Sequence, residues 1–266
     1  MIKSLLSSNT TKYSAIYTID YIGQGSSWPS VPPPPVASTS TSPPSIPGVS
    51  YSLQTWISQI SAFITSTVLP SNPSSGSVSI CGNSLGGHIS LHLARLLPSV
   101  VSSVVLFNAT PIWGGTFSRV LPFWDGFLPA PPWVQVPSSY VYDAFRSDAA
   151  VEAFLKICYA RHPESSGGVK GGIMDAAGSG YGHGAFASIL WGESVETFFE
   201  GGGGGVDALL VYGDADPWIK TGMGREVCKE LGGRGGEVGM WVVEGGGHCV
   251  QHEFGELVGK IYRLDD

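Results

Sequence analysis

The feature that most constrains the fold of this chain is a serine enclosed by glycines at the junction of a strand and a helix. Gly82-Asn83-Ser84-Leu85-Gly86 follows residues 78–81, a short apolar run typical of a buried strand. Apolar residues then recur at helical spacing, at Leu85, Ile89, Leu93 and Leu96. So sharp a turn needs small residues on both sides of the serine. The pattern predicts an α/β fold with a mostly parallel sheet, and it places Ser84 at a helix N-terminus, where negative charge is stabilised.

This motif is weak evidence when taken alone, because the chain contains 37 glycines among its 266 residues. Two later segments give it weight. Residues 208–212 form a second buried-strand run that is followed by acidic residues, and residues 239–243 form a third that leads to Gly247-His248-Cys249. Serine, acid and base therefore occur in the chain order used by one class of nucleophilic hydrolase. The three segments together predict a Ser-His-Asp triad.

The acid of this triad has two candidates. Asp214 and Asp216 both follow Gly213, at the end of the strand where ligands and catalytic groups collect in open α/β sheets. The usual spacing of three residues after the glycine favours Asp216. Asp214 is the alternative acid, although a helix N-cap or a turn suits it equally well.

The base is predicted to be His248, with His252, four residues later, as the fallback. In this reading His248 takes the proton of Ser84, and the acid fixes the imidazole tautomer. The backbone N–H of Leu85 is the candidate oxyanion donor. We expect the side chains of His88 and His92, on the helix after Ser84, either to pack in the core or to lie at the surface.

Composition excludes several other functions. The net charge is −7, only 13% of residues are charged and no basic cluster occurs, so nucleic-acid binding is not expected. The four cysteines lack the spacing of a zinc site and are expected to be reduced, mostly buried thiols. The proposed chemistry needs no metal or cofactor. No apolar run has the length of a membrane span, and no secretory signal is visible.

The chain divides by composition into a core and three other segments. Residues 27–48 are rich in proline, serine and threonine and predict a loop. Residues 112–200 combine many aromatic residues with prolines and glycines, which favours a cap over an apolar substrate. Residues 201–205 are five glycines that predict a flexible linker. Residues 1–111 and 206–266 then form the core, with strands at 15–19 and 101–107 and an amphipathic helix at 53–64.

Six segments together resemble the plastid α/β-hydrolases of plants and algae, the family that contains chlorophyll dephytylase and pheophytinase. The most specific are Asn108-Ala109-Thr110-Pro111 and Gly247-His248-Cys249. The six segments span nearly the whole chain and are residues 20–29, 82–87, 106–114, 185–189, 212–218 and 247–253.

This resemblance implies the α/β-hydrolase fold, with Ser84, Asp216 and His248 as the triad. It implies hydrolysis of a hydrophobic carboxylic ester, for which the phytyl ester of chlorophyll or pheophytin is the candidate. It further implies a role in chlorophyll catabolism, a chloroplast location and peripheral contact with the thylakoid membrane.

The chain differs from the family in its N-terminal part. Members of the family carry upstream strands and a His-Gly oxyanion motif, whereas the first histidine here is His88. We therefore expect the N-terminal strands and the second oxyanion donor to be missing, as in a shortened form of a longer enzyme. Two alternatives to ester hydrolysis follow: an acyltransferase on the same fold, or a non-catalytic remnant that acts as a binding protein.

Overall fold

The computed structural model describes residues 14–25, 27, 52–110, 112–114, 120–123, 126–129, 147–161, 170–171, 195–197 and 204–261. Its centre is a four-stranded parallel sheet. In their order across the sheet, the strands are β1 (Val78–Asn83), β2 (Val101–Phe107), β7 (Asp207–Gly213) and β8 (Val238–Val243). The buried-strand runs in the sequence therefore predicted all four of these strands correctly.

Helices cover both faces of this sheet. They are α1 (Leu53–Phe63), which continues through a π-helical turn (Ile64–Val68) into α2 (Leu69–Ser71), then α3 (Leu85–Leu96), α4 (Asp148–Cys158), α5 (Thr221–Gly233), α6 (Val250–Glu253) and α7 (Gly255–Ile261). The hydroxyl of Ser52 accepts the N–H of Thr55 at 3.1 Å and so begins α1 where the predicted amphipathic helix begins. No helix within the described ranges is both long and apolar enough to cross a membrane.

The third helix, α3, lies between two parts of the core. Its residues Ile89 and Leu93 pack against the buried face of α1. Leu91, on another side of α3, packs with the inner residues of β2, β7 and α5. Burial of these side chains stabilises the fold by about 1.5–3 kcal/mol each. The helix that follows Ser84 is thereby fixed on two sides.

The described part of the region predicted as a cap contains two pairs of short strands and one helix. Strands β3 (Ile112–Gly114) and β6 (Val195–Thr197) pair antiparallel, and β4 (Val120–Phe123) pairs with β5 (Gly126–Pro129). Helix α4 packs its buried residues against Trp218 and Cys249 of the core. Of the predicted loop at 27–48, all but residue 27 lies outside the described residues.

The glycine segment predicted as a linker is described only at its end. The N–H of Gly205 donates to the carbonyl of Arg234 at 2.8 Å. A Cβ atom at Gly205 would lie 2.2 Å from the backbone nitrogen of Gly236. Residue 205 is therefore packed against the loop before β8.

The predicted strand at residues 15–19 is wrong. Residues 15–21 run without helix, turn or bend but are not part of a sheet. Side-chain hydrogen bonds hold the segment instead: Asn72 donates to the hydroxyl of Tyr17 at 2.8 Å, and Gln59 donates to the carbonyl of Asp20 at 3.1 Å. A strand is defined by its ladder, and here a cavity of about 630 Å³ separates the segment from β1.

The four cysteines form no disulfide. Cys158 is buried, and Cys228 and Cys249 are half-buried, as predicted. Cys81 departs from the prediction because it is exposed, in the middle of β1. It lines the same cavity.

Candidate active site

Ser84 occupies the sharp turn between β1 and α3. Its backbone has φ 53° and ψ −115°, a conformation that residues other than glycine rarely adopt. The turn is fixed because the N–H of Ser84 donates to the carbonyl of Phe107 at 2.9 Å, and its carbonyl accepts the N–H of Gly87 at 3.1 Å. Such strain costs about 1–3 kcal/mol and persists only where the surrounding structure enforces it.

The glycines of this turn are required by contact between backbones. A Cβ atom at Gly82 would lie 2.1 Å from the carbonyl oxygen of Gly86. A Cβ atom at Gly87 would lie 2.3 Å from the Cβ atom of Ala109. The strand before Ser84 and the helix after it therefore approach so closely that no residue larger than glycine fits at positions 82 and 87. Leu85, the candidate oxyanion donor, is the first residue of α3.

Asp216 and His248 are brought together behind this turn. His248 Nδ1 lies 2.7 Å from Asp216 Oδ2. Asp216 is fully buried, and His248 is 9% exposed. The carboxylate keeps the proton on Nδ1, which leaves Nε2 as the acceptor of the ring. The pair thus has the arrangement of an oriented general base.

Further hydrogen bonds hold the Asp216 carboxylate in place. Its Oδ1 accepts the N–H of Trp218 at 2.8 Å and that of Ile219 at 3.1 Å. Its Oδ2 accepts a 2.6 Å hydrogen bond from Asn108 Nδ2. These donors stabilise the ionised carboxylate in a buried position, where an unpaired charge would be costly.

Asn108 follows β2 and also has a left-handed backbone, with φ 41°. Its side-chain oxygen accepts the N–H of Gly213 at 3.2 Å, while its amide donates to Asp216. Asparagine tolerates this backbone better than most residues. It therefore joins the end of β2 to the acid after β7.

A second asparagine joins the serine turn to the histidine loop. Asn83 Nδ2 donates to the carbonyl of Phe107 and to the carbonyl of His248, each at 2.9 Å. From the other side, the N–H of His248 donates to the carbonyl of Cys158 at 2.8 Å. Since Asn83 immediately precedes Ser84, the loop that carries His248 is fixed beside the serine turn.

The alternative acid and the fallback base have other partners. Asp214 is exposed, and its Oδ1 accepts the N–H of Gly245 at 2.7 Å, which is the turn role considered for it. His252 Nδ1 lies 2.9 Å from the hydroxyl of Tyr159. The contact with the carboxylate of Asp216 is made by His248.

The side chains of His88 and His92 on α3 are buried and pack inside the protein. A chain of hydrogen bonds fixes their tautomers, because Arg95 can only donate. Arg95 Nη2 lies 3.1 Å from His92 Nδ1, and His92 Nε2 lies 3.1 Å from His88 Nε2. His88 Nδ1 then donates to the carbonyl of Thr110 at 3.0 Å. Burial lowers the pKa of His88 to about 3 and that of His92 to about 4, so both rings are neutral at pH 7.

Two aromatic rings pack beside His248. Trp218 meets the His248 ring edge-on, with 4.9 Å between ring centroids. Phe154 of α4 stacks on Trp218 at 5.5 Å. Helix α4 lies within residues 112–200. This region therefore contributes Phe154, which reaches His248 through Trp218.

Cys249 lies beside the histidine and has an altered acidity. A hydrogen bond with Cys158 lowers the pKa of Cys249 to about 7, and the nearby His248 acts in the same direction. The same hydrogen bond and burial raise the pKa of Cys158. Within the described ranges, no group of three or more His, Cys, Asp or Glu side chains has the arrangement of a metal site.

Sequence reasoning missed the two positioning roles of Asn83 and Asn108. Asn83 stood in the unspecified position of the serine motif, and Asn108 was noted only as part of a resemblance. Both residues stand at the carboxyl end of a parallel strand, and such ends meet at one edge of the sheet. This position was the signal that could have indicated their roles.

Comparisons with known proteins agree with this architecture. The sequence model of the Alpha/beta hydrolase family matches residues 4–259. Pheophytinase, a chloroplastic protein of Arabidopsis thaliana, is 26% identical in an alignment that covers 93% of this chain and 54% of that protein. The chain therefore spans about half the length of this curated relative.

Solved structures show the same fold. A serine hydrolase from the polyaromatic hydrocarbon-degrading bacterium Cycloclasticus zankles superposes with a TM-score of 0.58 at 16% identity, covering 93% of this chain and 79% of that one. An esterase from Exiguobacterium antarcticum gives a TM-score of 0.57 at 19% identity, covering 92% and 78%. The predicted fold is confirmed, and this chain belongs to the alpha/beta hydrolase family.

Proposed function

We propose that this chain is a serine hydrolase that cleaves a carboxylic ester through Ser84, His248 and Asp216. The observation that carries the proposal is the 2.7 Å contact between His248 and a buried Asp216, joined through Asn83 to the strained serine turn. A strained serine, an oriented imidazole and a buried carboxylate are the elements of nucleophilic catalysis.

In the proposed reaction, Ser84 Oγ attacks the ester carbonyl carbon while His248 Nε2 takes the hydroxyl proton. The Leu85 N–H stabilises the negative charge that develops on the carbonyl oxygen. The C–O bond to the alcohol then breaks, and His248 returns the proton to the leaving alkoxide. Water, deprotonated by the same nitrogen, attacks the acyl carbon. The bond to Ser84 Oγ then breaks, His248 returns the proton to Ser84 Oγ, and the acid is released. Asp216 keeps the imidazole oriented and stabilises its cationic form.

The substrate that we propose is a hydrophobic ester, and more specifically the phytyl ester of chlorophyll or pheophytin. Support comes from the similarity to pheophytinase over 93% of this chain. The aromatic pair of Phe154 and Trp218 beside His248 agrees with an apolar substrate under a cap formed by residues 112–200. The same relative, named as chloroplastic, supports a chloroplast location and a role in chlorophyll catabolism, with peripheral contact to thylakoids.

The test is hydrolysis of two esters by the whole chain: a short p-nitrophenyl ester and pheophytin. We expect Ser84→Ala to abolish both reactions, and Ser102→Ala, at an exposed serine on β2, to leave them unchanged. Equal rates in the chain and in Ser84→Ala would contradict the proposal. Transfer of the acyl group to an added alcohol would indicate the acyltransferase. Binding of pheophytin without cleavage, unaffected by Ser84→Ala, would indicate a binding protein.

A further inference from the structure

Two cysteines lie next to the proposed base. Cys158 is the last residue of α4, and Cys249 directly follows His248. Cys158 is buried in a small apolar cluster, and the half-buried Cys249 packs against the same cluster. The thiol of Cys158 donates a hydrogen bond to the sulfur of Cys249. Two thiols from distant parts of the chain therefore meet beside His248.

Backbone contacts hold the two segments that carry these cysteines together. The N–H of His248 donates to the carbonyl of Cys158 at 2.8 Å. The N–H of Arg161 donates to Glu253 Oε2 at 2.7 Å. A Cβ atom on Gly247 would lie 2.7 Å from the carbonyl oxygen of Cys158, so the two backbones are in direct contact. The end of α4 and the histidine loop are thus fixed relative to each other, with the thiols between them.

The surroundings of Cys249 favour its thiolate form. The hydrogen bond from Cys158 lowers the pKa of Cys249 to about 7, and His248 and the hydroxyl of Tyr159 act in the same direction. By contrast, burial raises the pKa of Cys228 on α5. Peroxides react with the thiolate rather than with the thiol. Cys249 is therefore a more reactive sulfur than Cys228, although both are half-buried.

Cys158 is placed to react with an oxidised Cys249. The pKa of Cys158 is raised chiefly by its hydrogen bond to Cys249, and burial acts in the same direction. The first of these causes ends when Cys249 becomes an uncharged sulfenic acid. The thiol of Cys158 then lies against the sulfur atom that it would attack, as a resolving cysteine does.

We propose that Cys158 and Cys249 form a reversible disulfide when a hydroperoxide oxidises Cys249, and that this bond slows the chemistry at Ser84 by displacing His248. A disulfide brings two sulfur atoms to about 2 Å, closer than a hydrogen bond between thiols does. Displacement of a catalytic group by about 1 Å can reduce a rate about a hundredfold. The bond itself does not depend on the proposed function, whereas its effect on Ser84 rests on it.

The oxidation needs one molecule of hydrogen peroxide. The ionised sulfur of Cys249 attacks one peroxide oxygen, the O–O bond breaks, and the leaving hydroxide takes up the proton that the thiol released. The sulfur of Cys158 then attacks the sulfur of the sulfenic acid, and the S–O bond breaks. The leaving hydroxide takes the proton of Cys158 and departs as a second water. The two sulfurs lose two electrons in total, and a dithiol reductant reverses the reaction by exchange.

Peptide masses identify the bond directly. The full 266-residue chain is reduced, treated with hydrogen peroxide and digested without reductant. We expect the peptide with residue 158 joined to the peptide with residue 249, lighter by two hydrogen atoms than their sum and separated by dithiothreitol. Cys228→Ala, the matched control at a half-buried thiol, should give the same joined peptide. Cys158→Ala should give none, and dimedone should trap its Cys249 as a sulfenic acid.

Labelling of Ser84 by a fluorophosphonate measures the effect of the bond. We expect the disulfide form to be labelled at least tenfold more slowly than the reduced chain, and dithiothreitol to restore the rate. Peroxide should slow labelling equally in Cys228→Ala and by less than about threefold in Cys158→Ala. If the reduced chain is not labelled at Ser84, the proposed function fails, and the peptide masses still decide whether the disulfide forms.

Oxidation of Cys249 that leaves Cys158 unlinked would overturn the proposed bond. So would a peroxide-induced link between another pair of cysteines that forms before this one. A disulfide form that is labelled as fast as the reduced chain would overturn the effect on Ser84. Equal slowing by peroxide in Cys158→Ala would also overturn it, because the loss would then belong to the sulfenic acid at residue 249.

Discussion

Asn108 and His248 contact the same oxygen of Asp216, at 2.6 Å and 2.7 Å. One oxygen thus links the end of β2, the loop after β7 and the histidine loop after β8. Because Asn108 also accepts the N–H of Gly213, it fixes the carboxylate relative to the strand that carries it. Asn108 is a positioning residue for the proposed base.

Replacement of Asn108 should destabilise the chain and slow ester hydrolysis. Asn108→Gly relieves the backbone strain at φ 41° but removes both side-chain hydrogen bonds. We expect a net loss of about 2–3 kcal/mol in the free energy of unfolding, measured in urea, since a buried charged acceptor loses a donor. Asn108→Asp should be worse, because it places a second carboxylate beside Asp216. Stability of Asn108→Gly equal to that of the unaltered chain would contradict this role.

Backbone strain at Ser84 predicts an order of stability among its variants. Ser84→Gly should be about 1–2 kcal/mol more stable than Ser84→Ala, because glycine adopts φ 53° and ψ −115° without a Cβ conflict. Both variants should be inactive. Thermal unfolding of the pair measures the difference. An alanine variant as stable as the glycine variant would show that the turn is not strained.

The contact between Gly82 and Gly86 predicts that the serine turn tolerates no added methyl group. Gly82→Ala should unfold the turn or cost more than about 3 kcal/mol, because its Cβ meets backbone atoms that cannot move independently. Gly222→Ala is the matched control, because no atom lies within 4 Å of a Cβ on this helical glycine. That change should stabilise the chain by up to about 1 kcal/mol. Equal effects of the two changes in urea unfolding would refute the argument.

The buried histidines of α3 predict a loss of stability in mild acid. Their pKa values are lowered to about 3 and 4, so the folded chain keeps both rings neutral, while the unfolded chain protonates them below about pH 6.5. The contribution of the neutral histidines to the free energy of unfolding is fully present above pH 6.5 and is lost as the pH falls towards 4. At pH 5 each histidine should cost about 2 kcal/mol relative to pH 7.

His92→Gln isolates this effect, because glutamine keeps an amide donor and does not titrate. The decrease in unfolding free energy between pH 7 and pH 5 should be smaller by about 2 kcal/mol in this variant than in the unaltered chain. The same decrease in both proteins would mean that His92 does not titrate on unfolding.

The sequence predicted the elements that depend on local pattern. The four sheet strands and the helix after Ser84 were predictable because buried apolar runs and helical spacing are local properties. The strand expected at residues 15–19 failed because a strand also needs a neighbour, and no local pattern reports whether one is present. Asn83 and Asn108 escaped prediction because their contacts join residues 165 and 108 positions apart.

The most direct test of the proposed triad is labelling by a fluorophosphonate, which reports an activated serine without assuming a substrate. Labelling is followed by mass in the unaltered chain and in Ser84→Ala, Asp216→Asn and Asp214→Asn. The proposed mechanism predicts a single label on Ser84, labelling slowed at least a hundredfold in Asp216→Asn, and labelling in Asp214→Asn within about threefold of normal. Normal labelling in Asp216→Asn, or a label on another serine, would contradict it.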